Sequence, residues 1–171
     1  ALVGRVGADR EGEIFIDELK RRKISTRAIF VDDKIPTILK TRIIAHHQQV
    51  IRLDRERTDN CSEKVNSKIL SFIHNSINMF DAIIISDYGK GMISRQLVEQ
   101  ICALAIQKKK ILTVDPKVEH FGYYRGVTSI TPNRREAENA IRNIKITDPE
   151  NGKHRLTLTS DQLKTLSDVE K

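Results

Sequence analysis

Hydrophobic residues are arranged along this chain in two ways, and the change comes near Asp81. Before it the apolar positions are interrupted. Leu2-Val3 reads as the interior of a strand. Ile14, Phe15, Glu18, Leu19 and Arg22 follow a helical period that predicts a helix over residues 9–23, with Asp9 placed to cap it. Residues 28–31 predict a short strand. Residues 37–45 and 49–54 form two extended runs around His46-His47-Gln48, which predicts a hairpin. In its first run Lys40 and Arg42 stand on one side, with Thr41 and Ile43 on the other. Such alternation suits a sheet with one wet face.

From Asp81 the apolar runs become continuous. Residues 82–85, 111–114 and 127–131 predict strands, with a helix over 94–109 and another beginning near Asn133. Apolar strands alternating with amphipathic helices define the α/β class, with a parallel sheet flanked by helices and buried on both faces. The tail reads as a polar loop at 148–152 and a weak helix from Asp161. No repeat or low-complexity tract is present.

Composition then narrows the classes. The 171 residues are 39% hydrophobic and 31% charged, ordinary values for a globular domain. No apolar run approaches the roughly 18 residues of a membrane helix. Cys61 and Cys102 are too few for a disulfide framework and lack metal-ligand spacing, which favours a reducing, cytoplasmic setting. The net charge of +7 raises the question of nucleic acid. The basic runs are short, however: Lys20-Arg21-Arg22-Lys23, Lys108-Lys109-Lys110 and Arg134-Arg135. Two of them sit where helices are predicted to end and where cations complement the dipole. Aromatic residues are only 5% and are not interleaved with these runs, so a base-stacking surface is not expected. The charge remains compatible with small anionic ligands.

The chemistry gathers at three strand ends: Ser86-Asp87-Tyr88-Gly89-Lys90-Gly91, Asp115-Pro116-Lys117, and Thr131-Pro132-Asn133-Arg134-Arg135-Glu136. In an open parallel sheet, ligands bind beyond such carboxyl ends. Two glycines around Lys90 let the backbone approach a ligand while the ammonium neutralises a phosphate. The same segment also reads as a plain turn before a helix cap at Ser94, and Asp115-Pro116 as a strand end. Asn133 and Glu136 have capping-box spacing, and Glu136 is also placed to hold hydrated Mg²⁺ with Asn133 beside it. The pair His46-His47 reads as a polar turn rather than a metal site. No Walker-type loop and no G-x-G-x-x-G occurs.

In order along the chain, Thr37-Ile38-Leu39-Lys40-Thr41-Arg42, His47-Gln48-Gln49-Val50-Ile51-Arg52-Leu53-Asp54, the Lys90 loop, Asp115-Pro116-Lys117, Tyr124-Arg125-Gly126 and Thr131-Pro132-Asn133 resemble the D-glycero-β-D-manno-heptose-7-phosphate kinases. These are ribokinase-like, phosphofructokinase-B type carbohydrate kinases, and the likeness covers about residues 1–141. It implies ATP-dependent phosphorylation of heptose 7-phosphate at its 1-position, with Mg²⁺, in the ADP-heptose route to the lipopolysaccharide inner core. It implies a small β-lid at 36–55 and homodimers joined through that lid. By resemblance, Lys40, Arg42, Gln48, Gln49, Arg52, Asp87, Tyr88 and Lys90 are sugar-phosphate candidates. Lys117, Asn133 and Glu136 are nucleotide candidates, and Asn133 and Glu136 also match the metal motif.

The family also carries an N-terminal strand with a sugar-binding Asp, a Gly-Gly-Ala-Ala-Asn segment, and a late Gly-Ala-Gly-Asp motif whose Asp is the catalytic base. None of these occurs in the 171 residues, nor does the His-x-Gly-His signature of an adenylyltransferase. The expectation is an incomplete kinase domain spanning 1–171, inactive by itself. Two other readings stand beside it: a different ribokinase-like sugar kinase, and a basic module that binds a polyanion.

Overall fold

The computed structural model describes residues 1–147, with side chains as far as Ala140; the loop expected at 148–152 and the helix expected from Asp161 lie outside the described residues. The strands are β1 (Val3–Gly7), β2 (Ala28–Asp32), β3 (Leu39–Ala45), β4 (Gln48–Arg55), β5 (Ala82–Ser86), β6 (Ile111–Asp115) and β7 (Ser129–Ile130). The helices are α1 (Arg10–Arg21), α2 (Glu63–Ser76), α3 (Arg95–Gln107) and α4 (Arg134–Thr147), with short 3-10 turns at Ile77–Met79 and Val118–Tyr123.

β1 and β2 pair in parallel, β5-β6-β7 form a second parallel sheet, and β3 and β4 form the expected antiparallel hairpin. The polar caps follow the sequence. Asp9, Ser62 and Ser94 cap α1, α2 and α3, each side chain accepting from the N–H three residues on. Helix α2 fills a stretch for which the pattern above gives no element. Ser62 is its cap, and Val65 and Ile69 are its buried positions.

One core lies beneath both parallel sheets. Ile69 of α2, Leu97 and Val98 of α3, and Leu112 and Val114 of β6 are almost wholly buried within it. Each stabilises the fold by about 1.5–3 kcal/mol relative to an exposed side chain. Burial of the sheet on both faces, expected from its apolar strands, is not found among the described residues. Ile84 is 75% exposed and Ile111 is 53% exposed, because α2 and α3 cover the opposite face only. The α1 stripe is likewise half realised: Leu19 is buried, while Ile14 and Phe15 stay exposed. Strand β7 is shorter than the sequence predicts, and α4 runs from Arg134 to Thr147.

The lid alternates as its sequence requires. Lys40 lies opposite Asp54 and Arg42 opposite Arg52, while Thr41 faces Leu53 and Ile43 faces Ile51. A bulge at Val50 shifts the register near the tip, where His46 and His47 turn the chain with φ of 48° and 64°. Both ends of the lid are tied to the start of α1. Asp9 accepts from the Thr37 N–H at 2.9 Å and from its hydroxyl at 2.6 Å, and Arg55 pairs with Glu11 at 2.8 Å.

Candidate active site

The carboxyl ends of β5, β6 and β7 converge as the sequence predicts. Asp87, Tyr88, Asp115, Pro116, Lys117, Thr131, Asn133 and Glu136 line an open cleft of about 340 Å³. A second hollow of about 400 Å³ adjoins it and shares Lys117, Asn133 and Glu136 with it. Helix α4 starts at this edge, so its N-terminal dipole end faces the cleft and favours an anion there.

Asp87 turns inward. Its carboxylate accepts from the Tyr124 hydroxyl and from His120 Nδ1–H, both at 2.7 Å through Oδ2, and from the Gly89 N–H at 2.7 Å through Oδ1. The Tyr124 hydroxyl in turn accepts from the Lys117 N–H at 3.1 Å. Burial above all, with the Asp87 carboxylate beside it, pushes the Tyr124 hydroxyl far above the usual phenol range. His120 also stacks on Tyr123 with ring centroids 4.5 Å apart. The network joins the β5 loop to the segment after β6. It fixes the two walls of the cleft relative to each other, and Asp87 contributes to the cleft mainly by positioning them.

Lys90, two residues beyond Tyr88, points to the lid. Its Nζ lies 2.6 Å from Glu56 Oε1, while Glu56 Oε2 is 3.2 Å from Lys40 Nζ. Lys40 also reaches Asp54 at 3.1 Å, and Arg52 reaches the same Asp54 oxygen at 3.1 Å. Hydrogen bonds, first from Lys90 and then from Lys40, hold the Glu56 carboxyl below the usual glutamate range. Beneath the loop, Arg5 donates to the carbonyls of Lys90 and Asp59 and pairs with the buried Asp32. Gly91 at φ 75° accepts the Cys61 N–H at 2.9 Å and lies hard against the Thr58–Asp59 backbone.

The sequence-predicted site residues therefore form two groups and a remainder. Asp87, Tyr88, Lys117, Asn133 and Glu136 line the cleft. Lys40, Arg52 and Lys90 join one ion-pair chain. Arg42, Gln48 and Gln49 lie exposed on the lid. Glu56, His120, Tyr124 and Arg5 escape sequence reasoning as members of the site, because each acts through partners far away in the chain. The signal for Glu56 lies in its period: it continues the polar side of β4 two residues past Asp54.

Asn133 and Glu136 form a reciprocal capping box. The Asn133 N–H donates to Glu136 Oε2 and the Glu136 N–H donates to Asn133 Oδ1, each at 2.9 Å. Glu136 Oε1 is left without a protein hydrogen bond among the described residues. No group of three or more His, Cys, Asp or Glu side chains that could hold a metal occurs among the described residues. One carboxylate with a free oxygen and no protein cage fits Mg²⁺, which keeps most of its waters and takes further ligands from a substrate's phosphates.

Comparison with known proteins bears on the fold and the family. A candidate ribokinase from Agrobacterium tumefaciens superposes with a TM-score of 0.58 at 19% identity, over 82% of this chain and 44% of that one. A candidate 1-phosphofructokinase from Thermotoga maritima gives 0.57 at 17% identity, over 78% and 42%. The fold is the ribokinase-like α/β class. Among curated proteins, the bifunctional protein HldE of Helicobacter pylori strain Shi470 is 42% identical over 140 residues, and that of Desulfatibacillum aliphaticivorans is 36% identical over 140 residues. Each match covers 82% of this chain, which spans only 30% and 29% of those two relatives. The description of the pfkB family carbohydrate kinases matches residues 1–166, and the chain belongs to that family.

Proposed function

We propose that this chain is part of a kinase that transfers the γ-phosphoryl group of ATP to the 1-hydroxyl of D-glycero-β-D-manno-heptose 7-phosphate, a step on the route to ADP-heptose for the lipopolysaccharide inner core. The observation that carries this reading is the Ser86–Gly91 loop: Tyr88 borders the cleft at the strand ends while Lys90 reaches Glu56 at the end of the lid, which also holds Lys40. In this reading Lys40, Arg42, Gln48, Gln49, Arg52 and Lys90 hold the phosphorylated sugar, and Lys117 and the α4 start hold the nucleotide phosphates. Glu136, with Asn133 beside it, would hold Mg²⁺, which when bound neutralises charge on the transferring phosphates. The sugar oxygen forms a bond to the γ-phosphorus as the bond to the bridging oxygen breaks and ADP leaves. The hydroxyl proton needs a base, and the 171 residues carry no Gly-Ala-Gly-Asp motif to supply one.

Two further expectations belong to this reading. The purified 171-residue chain turns over no heptose phosphate, since positioning and charge stabilisation act together in phosphoryl transfer. Two copies pair through the lid, whose Ile43, Ile51 and Leu53 share one side and are each about half exposed. A cytoplasmic setting is part of the proposal; no helix among the described residues is long and apolar enough to cross a membrane.

The test is a substrate panel on the full-length protein encoded by the reading frame. Transfer from ATP to heptose 7-phosphate, with little to fructose 1-phosphate or ribose, is the expected result. Preference for another sugar would replace the heptose reading with a different ribokinase-like kinase.

A further inference from the structure

Glu56 places one carboxylate between two ammonium groups, with Oε1 2.6 Å from Lys90 Nζ and Oε2 3.2 Å from Lys40 Nζ. The two lysines come from different parts of the fold, the β5 loop and lid strand β3, and Glu56 follows directly on β4. All three side chains are partly open to solvent, with 31%, 37% and 25% exposure for Lys90, Lys40 and Glu56. A dissolved anion can therefore reach them. Oxygens of a phosphate are spaced much as those of a carboxylate, so the position Glu56 occupies is one a phosphate oxygen pair can take.

The formal charges decide what that means. Lys40, Lys90 and Arg52 contribute three positive charges, and Glu56 and Asp54 contribute two negative ones. The cluster carries a single net positive charge, and the two ammonium groups are already paired before any ligand arrives. An anion that binds both lysines must displace Glu56 from them, and its affinity is reduced by whatever the Glu56 pairs are worth.

We propose that Glu56 is an internal counter-anion that occupies the phosphate position between Lys40 and Lys90 and is displaced when a phosphorylated ligand binds. The proposal rests on the assignment of Lys40 and Lys90 to sugar-phosphate contact, and extends it by naming the residue that sets their affinity. The carboxylate also keeps the two lysines close and oriented while the site waits, which limits the reordering an arriving phosphate requires.

The test is an NMR-detected titration of the 171-residue chain with inorganic phosphate, comparing the wild type with Glu56→Gln, Lys90→Ala and Lys40→Ala. Partly exposed ion pairs contribute modestly, so Glu56→Gln is expected to tighten phosphate binding by about fivefold, with thermal melts confirming that the variant is folded. Lys90→Ala and Lys40→Ala are expected to weaken it. If the lysine variants bind more weakly while Glu56→Gln is unchanged or weaker, Glu56 is a structural strut, and displacement is wrong while the sugar-phosphate assignment stands. If none of the variants differs from the wild type, the assignment of the lysines fails and the proposal with it.

Discussion

The Tyr124 hydroxyl donates to Asp87 across 37 residues of sequence, at 2.7 Å, and accepts from the Lys117 N–H on its other side. One buried oxygen thus couples two walls of the cleft. Replacing Tyr124 with Phe leaves the Lys117 N–H without that partner and removes one of the donors to Asp87. A buried polar group left unpaired costs about 1–3 kcal/mol. The expected outcome is a melting temperature lowered by roughly 2–4 °C for each kcal/mol lost. Unchanged melting would show that water replaces the hydroxyl at no cost.

Gly91 and Gly122 make a matched pair. A methyl group on Gly91 would meet the Asp59 carbonyl and lie 2.5 Å from the Thr58 carbonyl, at a φ of 75° that side chains rarely adopt. At Gly122 a methyl group meets nothing within 4 Å. Gly91→Ala is expected to destabilise the fold by about 2–4 kcal/mol, the sum of left-handed strain and overpacking. Gly122→Ala should melt like the wild type. Equal urea midpoints for the two variants would contradict the close approach seen at the Lys90 loop.

What the sequence could and could not show follows from the distance over which each residue acts. Asp9, Ser94 and Asn133 act on N–H groups three positions away, so their caps are readable from spacing. The lid is readable for the same reason, since Lys40 and Arg42 share a side through strand geometry alone. The convergence of the β5, β6 and β7 ends follows from parallel pairing of apolar runs. Glu56, His120 and Arg5 are different. Glu56 pairs with Lys90 34 residues away and Lys40 16 away, His120 with Asp87 33 away, and Arg5 with groups 27 or more away; the period of β4 gives the side Glu56 stands on but none of these partners. The inward turn of Asp87 is hidden for this reason too: a strand-end Asp looks alike in sequence whether it faces ligand or core. Helix α2 is marked by Ser62 as a cap and by Val65, Ile69 and Ile73 at helical spacing, and the reading of the pattern passes over it.

Glu136 has one task that the structure shows and a second that the proposed function assigns to it. As a cap it accepts from the Asn133 N–H, a task Gln can also perform. As a metal ligand it must offer a negative oxygen, which Gln cannot. Glu136→Gln is therefore expected to melt with the wild type while losing the Mg²⁺ dependence of ATP binding, measured by calorimetry with and without the metal. Glu136→Ala should lose both. A Gln variant that binds Mg-ATP like the wild type would reduce Glu136 to a helix cap.

Asp9 makes the attachment of the lid dependent on pH. The Thr37 hydroxyl, first among its donors, holds the Asp9 carboxyl below its ordinary value of 3.8, with help from the Thr37 and Gly12 N–H groups and from Arg55. Glu11 is held below its ordinary 4.5, chiefly by the Arg55 hydrogen bond. Both carboxyls are depressed in the folded protein, so the stabilisation they give is fully present above their ordinary values. It is lost as pH falls through the lower folded values. Both groups are solvent-facing, so the loss should be local to the lid base rather than global. Protection of the Thr37 N–H against hydrogen exchange is expected to hold from pH 7 down to about 4.5 and to fall below that relative to N–H groups in α3. Asp9→Asn should show the reduced protection at every pH in this range. If wild-type Thr37 and α3 lost protection in parallel, the lid base would not be a separately titrating unit, and the tie between Asp9 and Thr37 would serve the whole fold instead.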